Sequence, residues 1–335
     1  MTAALVPLAS DPRFTLIQAG TPSEDFGRDV RAGLTAPAKW LPPIWFYDEL
    51  GSSLFDSICF LPEYYVMRAE AEVLATHREE IVEALGSDLR LVELGSGTAR
   101  KTRILLDGLT RRQHELEYVP VDVDAAMLER SGRDLLAEYD GLRVTAVCSD
   151  FARPSAALAR LGAHRGRTVV LFLGSTIGNL DPAAARAMLT DLRSALHPGD
   201  ALFLGADLRK SRDVLEPAYD DPLGVTAAFN LNVLGRINRE LGGHFPLRDF
   251  RHRAFYDEVH GRIEMHLVST RVQRVRIDAL DLDVGFEKAE SIHTESSYKH
   301  DDATLGALAQ ACGFTIERRW SDSRNWFADV LMIAG

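Results

Sequence analysis

Several things are scarce in this chain, and each scarcity removes a class of protein. Three cysteines, Cys59, Cys148 and Cys312, lie far apart, with no CxxC pair and no Cys/His spacing suited to a metal. They read as isolated thiols, and neither a disulfide scaffold nor a zinc module is expected. Positive charge is also short: 38 Lys and Arg against 49 Asp and Glu leave a formal net charge of −11. That argues against nucleic acid as a partner, because binding held through phosphates needs a basic surface. Basic pairs such as Arg111-Arg112 and Arg318-Arg319 read as solvated faces. No apolar run approaches the length of a membrane span, and Met1 to Ser10 lacks the basic start and long apolar core of a signal peptide. A soluble cytoplasmic protein without a membrane partner is the expectation. His244, His252, His260, His266, His293 and His300 show no ligand spacing, so they read as ordinary residues and no metal is expected. A monomer is the working expectation.

What is present is enough for a sizeable core. The chain has 335 residues, of which 46% are hydrophobic, a length that suggests two compact units. Residues 1 to about 35 read as a weakly specified leader. An aromatic and proline-rich stretch follows, Lys39 to Asp48, in which Pro42-Pro43 forbids a regular helix. Helical spacing resumes at Ser52 to Ile58 and again from about Arg68 to Leu85. From Leu89 onward, short apolar runs (90–94, 117–121, 143–148, 168–173, 201–206) alternate with amphipathic segments (99–109, 125–138, 155–161, 182–196). Such alternation predicts parallel strands joined by right-handed helical crossovers, an α/β doubly wound, Rossmann-like sheet. Asp124 and Asp181 stand where helix N-caps are needed. After Lys210 the alternation stops. A helix over Val225–Leu241 and an alternating strand over 263–272, with a partner near 273–286 or 290–294, predict an inserted α+β unit. The earlier style returns with a helix over Asp302–Cys312, ended by Gly313, and two terminal strands at 314–319 and 326–333. The expected division is 70–209 with 300–335 as a ligand-binding α/β domain, and 1–69 with 210–299 as a second, substrate-binding domain.

The chemistry concentrates at Leu91 to Thr102, where a strand-like run ends in an acid and a tight glycine turn opens a helix-compatible segment. Gly95 and Gly97 let the backbone approach a ligand closely and deliver helix N-terminal amides to it. A dinucleotide dehydrogenase would show a third glycine, with an acid about 20 residues on; Arg100 stands where that glycine belongs. Glu93 instead completes an ExGxG pattern that resembles motif I of class I S-adenosylmethionine-dependent methyltransferases. Asp122 ends the second strand, where a carboxylate can accept both hydroxyls of a ribose. Asp150-Phe151 ends the third, where an acid and a ring suit an adenine. A fourth strand end, Leu171 to Leu180, carries two more glycines and Asn179, which offers both a donor and an acceptor. On spacing alone Asn179 serves equally well as a loop or helix-capping residue. S-adenosylmethionine is the expected cofactor.

Six stretches, PEYYVMRAE (62–70), VELGSGTARKT (92–102), LFLGSTIGNLDP (171–182), YDDPLGVTAAFNLNVLGRINRELG (219–242), IEMHL (263–267) and HTESSYKH (293–300), resemble the histidine-specific N-alpha-methyltransferases of ergothioneine biosynthesis. The resemblance runs from about Trp40 to the C-terminus. It implies an enzyme that trimethylates the alpha-amino group of its small-molecule substrate, L-histidine, to give hercynine. The cofactor contacts it implies are Gly95, Gly97, Lys101, Asp122, Asp150 and Phe151. Implied substrate contacts are Tyr47, Tyr65, Asn179, Tyr219, Met265, Glu295 and Ser297, with Asn179 and Tyr65 in catalytic roles. Glu295 would select the imidazole by accepting its N–H while Ser297 addresses the other ring nitrogen. Taken singly, Tyr219 packs a turn, Met265 fills a core and Glu295 belongs to a helix cap; only the joint pattern raises them above those uses. An N-methyltransferase of another amino acid or biogenic amine, and a non-catalytic S-adenosylmethionine-binding module, are the alternatives.

Overall fold

The computed structural model describes residues 11–18, 26–150 and 152–335. The chain opens with strand β1 (Phe14–Gln18), helix α1 (Phe26–Thr35), the short strand β2 (Lys39–Trp40) and a 3-10 turn at Pro43–Phe46. Helices α2 (Glu49–Cys59), α3 (Val66–Thr76) and α4 (Arg78–Leu85) follow. The alternating stretch runs β3 (Leu89–Leu94), α5 (Thr102–Arg112), β4 (Leu116–Asp122), α6 (Ala125–Glu138), β5 (Leu142–Cys148), α7 (Pro154–Leu158), β6 (Arg167–Phe172), a 3-10 turn at Thr176–Asn179, α8 (Pro182–Ser194) and β7 (Ala201–Asp207). The insertion holds α9 (Arg212–Tyr219), α10 (Val225–Leu241), β8 (Phe250–Asp257), β9 (Arg262–Ser269), β10 (Gln273–Ile277), β11 (Leu282–Phe286) and β12 (Ser291–Tyr298). It returns to α11 (Asp302–Ala311), β13 (Phe314–Ser321) and β14 (Phe327–Ala334).

Eight strands form one sheet in the order β1-β5-β4-β3-β6-β7-β14-β13. All neighbours are parallel except β14, which runs antiparallel to both β7 and β13. Every residue of β3 and β7 is buried, as befits strands with helices on both faces. Successive crossovers move one way from β3 to β4 and β5, and the other way from β3 to β6 and β7. The switch point therefore lies between β3 and β6, and ligands of such sheets bind beyond the strand carboxyl ends there. The expected N-caps hold: Asp124 accepts from the Ala126 and Met127 amides, and Asp181 from Ala183 and Ala184. The three cysteines are free thiols.

The insertion leaves and re-enters on the same carboxyl edge, where Leu208 and His300 pair side by side. Its sheet has the order β2-β12-β9-β8, while β10 and β11 form a separate hairpin. One apolar core joins Phe26 through Ala69 to residues from Leu215 to Ile292; two others cover the faces of the large sheet.

Four expectations change. The leader is not wholly unspecified, since β1 pairs in parallel with β5 at the sheet edge and α1 follows it. The helix expected over 68–85 is two helices, broken at His77. Of the two partners expected for the long strand, 290–294 holds as part of β12 and 273–286 does not, and β8 flanks β9 on its other side. The helix after the glycine turn begins at Thr102 rather than residue 99, because Ala99 takes a positive φ of 52°.

Gly205 in β7 has a packing reason. A Cβ there would overlap Glu70 Oε1 and lie 3.1 Å from Asp329 Oδ1. Gly205→Ala should cost about 1–3 kcal/mol, read as a lower urea midpoint with an unchanged slope.

Candidate active site

The cofactor side is built by the loops after β3, β4 and β6. Gly95 and Gly97 hold φ of 68° and 48°, a left-handed region that glycine adopts freely. Nothing lies within 4 Å of where a Gly97 Cβ would stand, so this turn faces open space. Its amide donates to Asp122 Oδ2 at 3.0 Å, while Asp122 Oδ1 accepts from the Asp124 amide at 3.2 Å. The carboxylate is thus held at the end of β4 with lone pairs to spare for a diol. Asp150 follows β5, its Oδ1 accepting from the Ala152 amide at 2.8 Å; Phe151 lies outside the described residues. Lys101 sits on the turn with its ammonium on Glu70, close to Gly174 at the end of β6. An acid-lined, glycine-open turn with a lysine at one end and a diol acceptor at the other fits S-adenosylmethionine.

Glu93 of the ExGxG pattern does not face a ligand. It is buried and accepts from the Thr102 hydroxyl at 2.7 Å and from the Tyr118 phenol. Burial pushes its pKa up to about 7, against those two hydrogen bonds. Its work is to lock β3, β4 and α5 around the turn.

The substrate side is the core-facing surface of the small sheet. Along β9, Ile263, Met265 and Leu267 are buried and alternate with half-buried residues. On β12 the register shifts between His293 and Glu295, so Thr294 and Glu295 are both buried and Ser297 follows on the same face. A bulge of this kind re-aims side chains: without it, Glu295 and Ser297 would point to the outer face. Glu295 pairs across with Met265. The Glu295 carboxylate takes no hydrogen bond among the described residues, and burial pushes its pKa up to about 7, with Lys299 opposing. Ser297 Oγ lies 2.9 Å from the Tyr219 hydroxyl. Asn179 ends the turn after β6, where Gly178 packs so closely on β12 that a Cβ would lie 2.8 Å from the Tyr298 carbonyl. Tyr47, close to half exposed at 46%, packs edge-on against Phe55 and Phe229.

Tyr65 stands apart from this group. Its hydroxyl donates to Asp207 at 2.8 and 2.9 Å and accepts from Lys210 at 2.7 Å. The neighbour Tyr64, which sequence reasoning passed over, joins the cluster instead. Burial, and then nearby Tyr219, Cys59, Tyr47 and Glu295, hold its phenol well above the ordinary value, and its ring meets Tyr219 edge-on at 6.1 Å. In a Tyr-Tyr pair ahead of a helix the sequence carries no signal for which ring turns inward. Arg68 holds the turn ahead of the pair by donating to the Leu61 and Pro62 carbonyls at 2.7 and 2.6 Å.

Other missed residues are charged and buried. Glu70 accepts from the Gly174 amide at 2.7 Å besides holding Lys101. The Asp329 carboxyl beside it has no hydrogen-bond partner among the described residues, and burial and then Glu70 hold it well above the ordinary value. Lys299 sits behind Tyr219 and Ser297. On the outer face of the small sheet, strand pairing gathers Glu264, His266 and His293, with one ligand atom of each within 4.8 Å of the others. Linear spacing gave no sign of this. Glu264 is already occupied there by Arg262 and by His266 at 2.9 Å. Two surface clefts of about 330 and 260 Å³ lie along α9 and beside Arg68 and Trp326, and neither contains Glu295, Tyr219 or Asn179.

A doubly wound sheet with a glycine turn at its switch point, an acid at the next strand end and a pocket of hydroxyls and one buried carboxyl beside them defines an S-adenosylmethionine-dependent methyltransferase. The chain belongs to the family of histidine-specific, S-adenosylmethionine-dependent methyltransferases, whose sequence profile matches residues 26–334. It is 47% identical to the histidine N-alpha-methyltransferase of Mycolicibacterium smegmatis over 317 residues, 95% of this chain and 97% of that protein. The Mycobacterium tuberculosis histidine N-alpha-methyltransferase is also 47% identical, over 90% of this chain and 92% of its own length. Ergothioneine biosynthesis protein 1 of Schizosaccharomyces pombe is 29% identical over 84% of this chain but only 37% of that longer protein. No helix among the described residues is long and apolar enough to cross a membrane.

Because the folded pKa of Glu295 is raised, the folded state favours its protonated form. The stability it contributes is full below the unfolded value near 4.5 and is lost as pH rises through about 7. Glu295→Gln should therefore stabilise the ligand-free protein by about 3 kcal/mol at pH 8 and change little at pH 4, measured as melting temperatures across that range.

Proposed function

We propose that the protein transfers three methyl groups from S-adenosylmethionine to the alpha-amino group of L-histidine, forming hercynine in ergothioneine biosynthesis. The observation that carries this reading is Glu295: a buried carboxylate without an internal hydrogen bond, aimed by a bulge into a pocket of hydroxyls beside the cofactor turn. A buried acceptor of that kind needs a hydrogen-bond donor to satisfy it, and the N–H of an imidazole supplies one. The names of the mycobacterial relatives support the same acceptor.

The bound cofactor supplies an electrophilic methyl on a sulfonium; the protein's part is to orient a neutral amine in line with it. Asp122, Lys101 and the Gly95–Gly97 backbone hold the donor, and Asp150 addresses its base. Tyr64, Tyr47, Tyr219 and Asn179 hold the amino-acid end of the substrate. Burial holds the Tyr64 and Tyr219 phenols above their ordinary value, so both stay uncharged. Neutral hydroxyls and an amide place no fixed charge beside the sulfonium, and rings tolerate the permanent cation of the trimethylated product. Met265 closes the pocket beside Glu295. Residues 70–209 and 300–335 form the cofactor domain, and 1–69 with 210–299 the substrate wall, a division supported by the apolar core common to Phe26–Ala69 and the insertion. β1 falls on the cofactor side by its pairing with β5.

Incubation with S-adenosylmethionine and an equimolar amino-acid mixture, followed by mass spectrometry, should show histidine alone gaining three methyls. Unmodified histidine beside another methylated amine overturns the acceptor. Tyr64→Phe should raise KM for histidine about tenfold, a loss of about 1.4 kcal/mol, with S-adenosylhomocysteine affinity unchanged. Tyr65→Phe should act chiefly on stability, seen in the same pair of measurements plus a melting curve.

A further inference from the structure

Lys299 follows β12 by one residue, and its side chain is wholly buried. An ammonium has three N–H donors and no acceptor. Three oxygens surround this one: Asp207 Oδ2 at 2.7 Å, the Tyr219 hydroxyl at 2.8 Å and Ser297 Oγ at 2.8 Å. Each of them must accept. The two hydroxyls also lie 2.9 Å apart, so one donates to the other. The phenol is the more acidic partner and the better donor, which sets the direction from Tyr219 to Ser297. Ser297 Oγ then accepts from both Lys299 and Tyr219. A hydroxyl has two acceptor lone pairs and one proton, so its own proton is all that Ser297 has left to offer. Glu295, two residues earlier on the same face, offers only acceptors when ionised.

We propose that Lys299 is a positioning residue that makes Ser297 an obligate donor, so that the pocket admits a neutral ring with one N–H toward Glu295 and one bare nitrogen toward Ser297. This rests on the acceptor being histidine and adds to it which protonation state is bound. An imidazolium would set a second N–H against the proton of Ser297, a few bonds from a buried ammonium. Asp207 keeps that ammonium charged: burial pulls the Lys299 pKa down, but Asp207 and Tyr219 outweigh it.

The other titratable groups around Lys299 limit the range in which this is read. Lys210 on the far side of Asp207 is pushed down to about 8 by burial, and His300, next in sequence, to about 4. Tyr65 and Tyr219 stay neutral, and among the described residues of the pocket Glu295 is the group that titrates near pH 7.

The test is nitrogen NMR of ring-labelled histidine bound with S-adenosylhomocysteine, titrated from pH 7.5 to 5. In the wild type, one ring nitrogen should stay protonated and the other bare to at least one pH unit below the free imidazole value of about 6.5. Lys299→Met returns a lone pair to Ser297. The bound ring should then take up its second proton at or above the free value, and histidine affinity should fall about tenfold with a smaller change in kcat. A Lys299 that merely supports the fold would weaken binding while leaving the titration of the bound ring as in the wild type, which overturns the inference. If the variant does not fold, the wild-type titration decides alone, since a ring bound with both nitrogens protonated near neutral pH is incompatible with an obligate donor. Wild-type protein that binds no histidine overturns the acceptor reading and this inference together; histidine bound as imidazolium overturns the inference only.

Discussion

The buried ion cluster on Asp207 is the constraint from which the rest of the site hangs. Asp207 is the last residue of β7, and four parts of the chain converge on it. Its carboxylate takes Lys299 from the end of β12, Lys210 from the start of the insertion and Tyr65 from the head of α3. Its own amide donates to Ser175 in the loop after β6 at 2.9 Å, and its carbonyl accepts from the His300 amide at 2.8 Å. A carboxylate with no solvent exposure is costly unless paired and hydrogen-bonded, and here two ammonium groups and a phenol do both. Removing one partner from such a pair strands the other and costs about 3–5 kcal/mol. The cluster therefore fixes how the substrate wall meets the edge of the cofactor sheet, and it does so directly behind Tyr219 and Ser297.

A second device sits just upstream on the same strand. The bulge between His293 and Glu295 exchanges the two faces of β12. Before it, Ile292 faces the core and His293 the outside; after it, Glu295 and Ser297 face inward and Tyr298 outward. One extra residue thus places an acceptor and a hydroxyl side by side on a surface otherwise made of Ile263, Met265 and Leu267. His293, just ahead of the bulge, sits opposite His266 on the outer face, with ring centroids 5.2 Å apart.

The sheet was largely legible in the residues. Its inner strands are buried on both faces and so read as continuous apolar runs, and Asp124, Asp181, Pro154 and Pro182 mark helix starts by local chemistry alone. The strand-end acids Asp122 and Asp150 and the glycines at 95 and 97 were legible for the same reason. β1 and β8 were not, because only their long-range pairing makes them strands. Nor was the break at His77, which has no proline or glycine to announce it. Within the site, Tyr64 and Tyr65 are equivalent in sequence, and Lys299 and Glu70 look like ordinary surface charges until their partners arrive from residues 207 and 174.

By itself the sequence determined that a doubly wound sheet carries a glycine turn for S-adenosylmethionine, and that a compositionally different insertion interrupts it. Those properties depend on periodicity and on residues next to one another. Only the tertiary structure decided which tyrosine faces the pocket, which side of β12 Glu295 occupies, and that Lys299 spends all three of its protons on Asp207, Tyr219 and Ser297. Each depends on a contact between residues distant in the chain, and burial lets a single such contact settle where a proton or a side chain points.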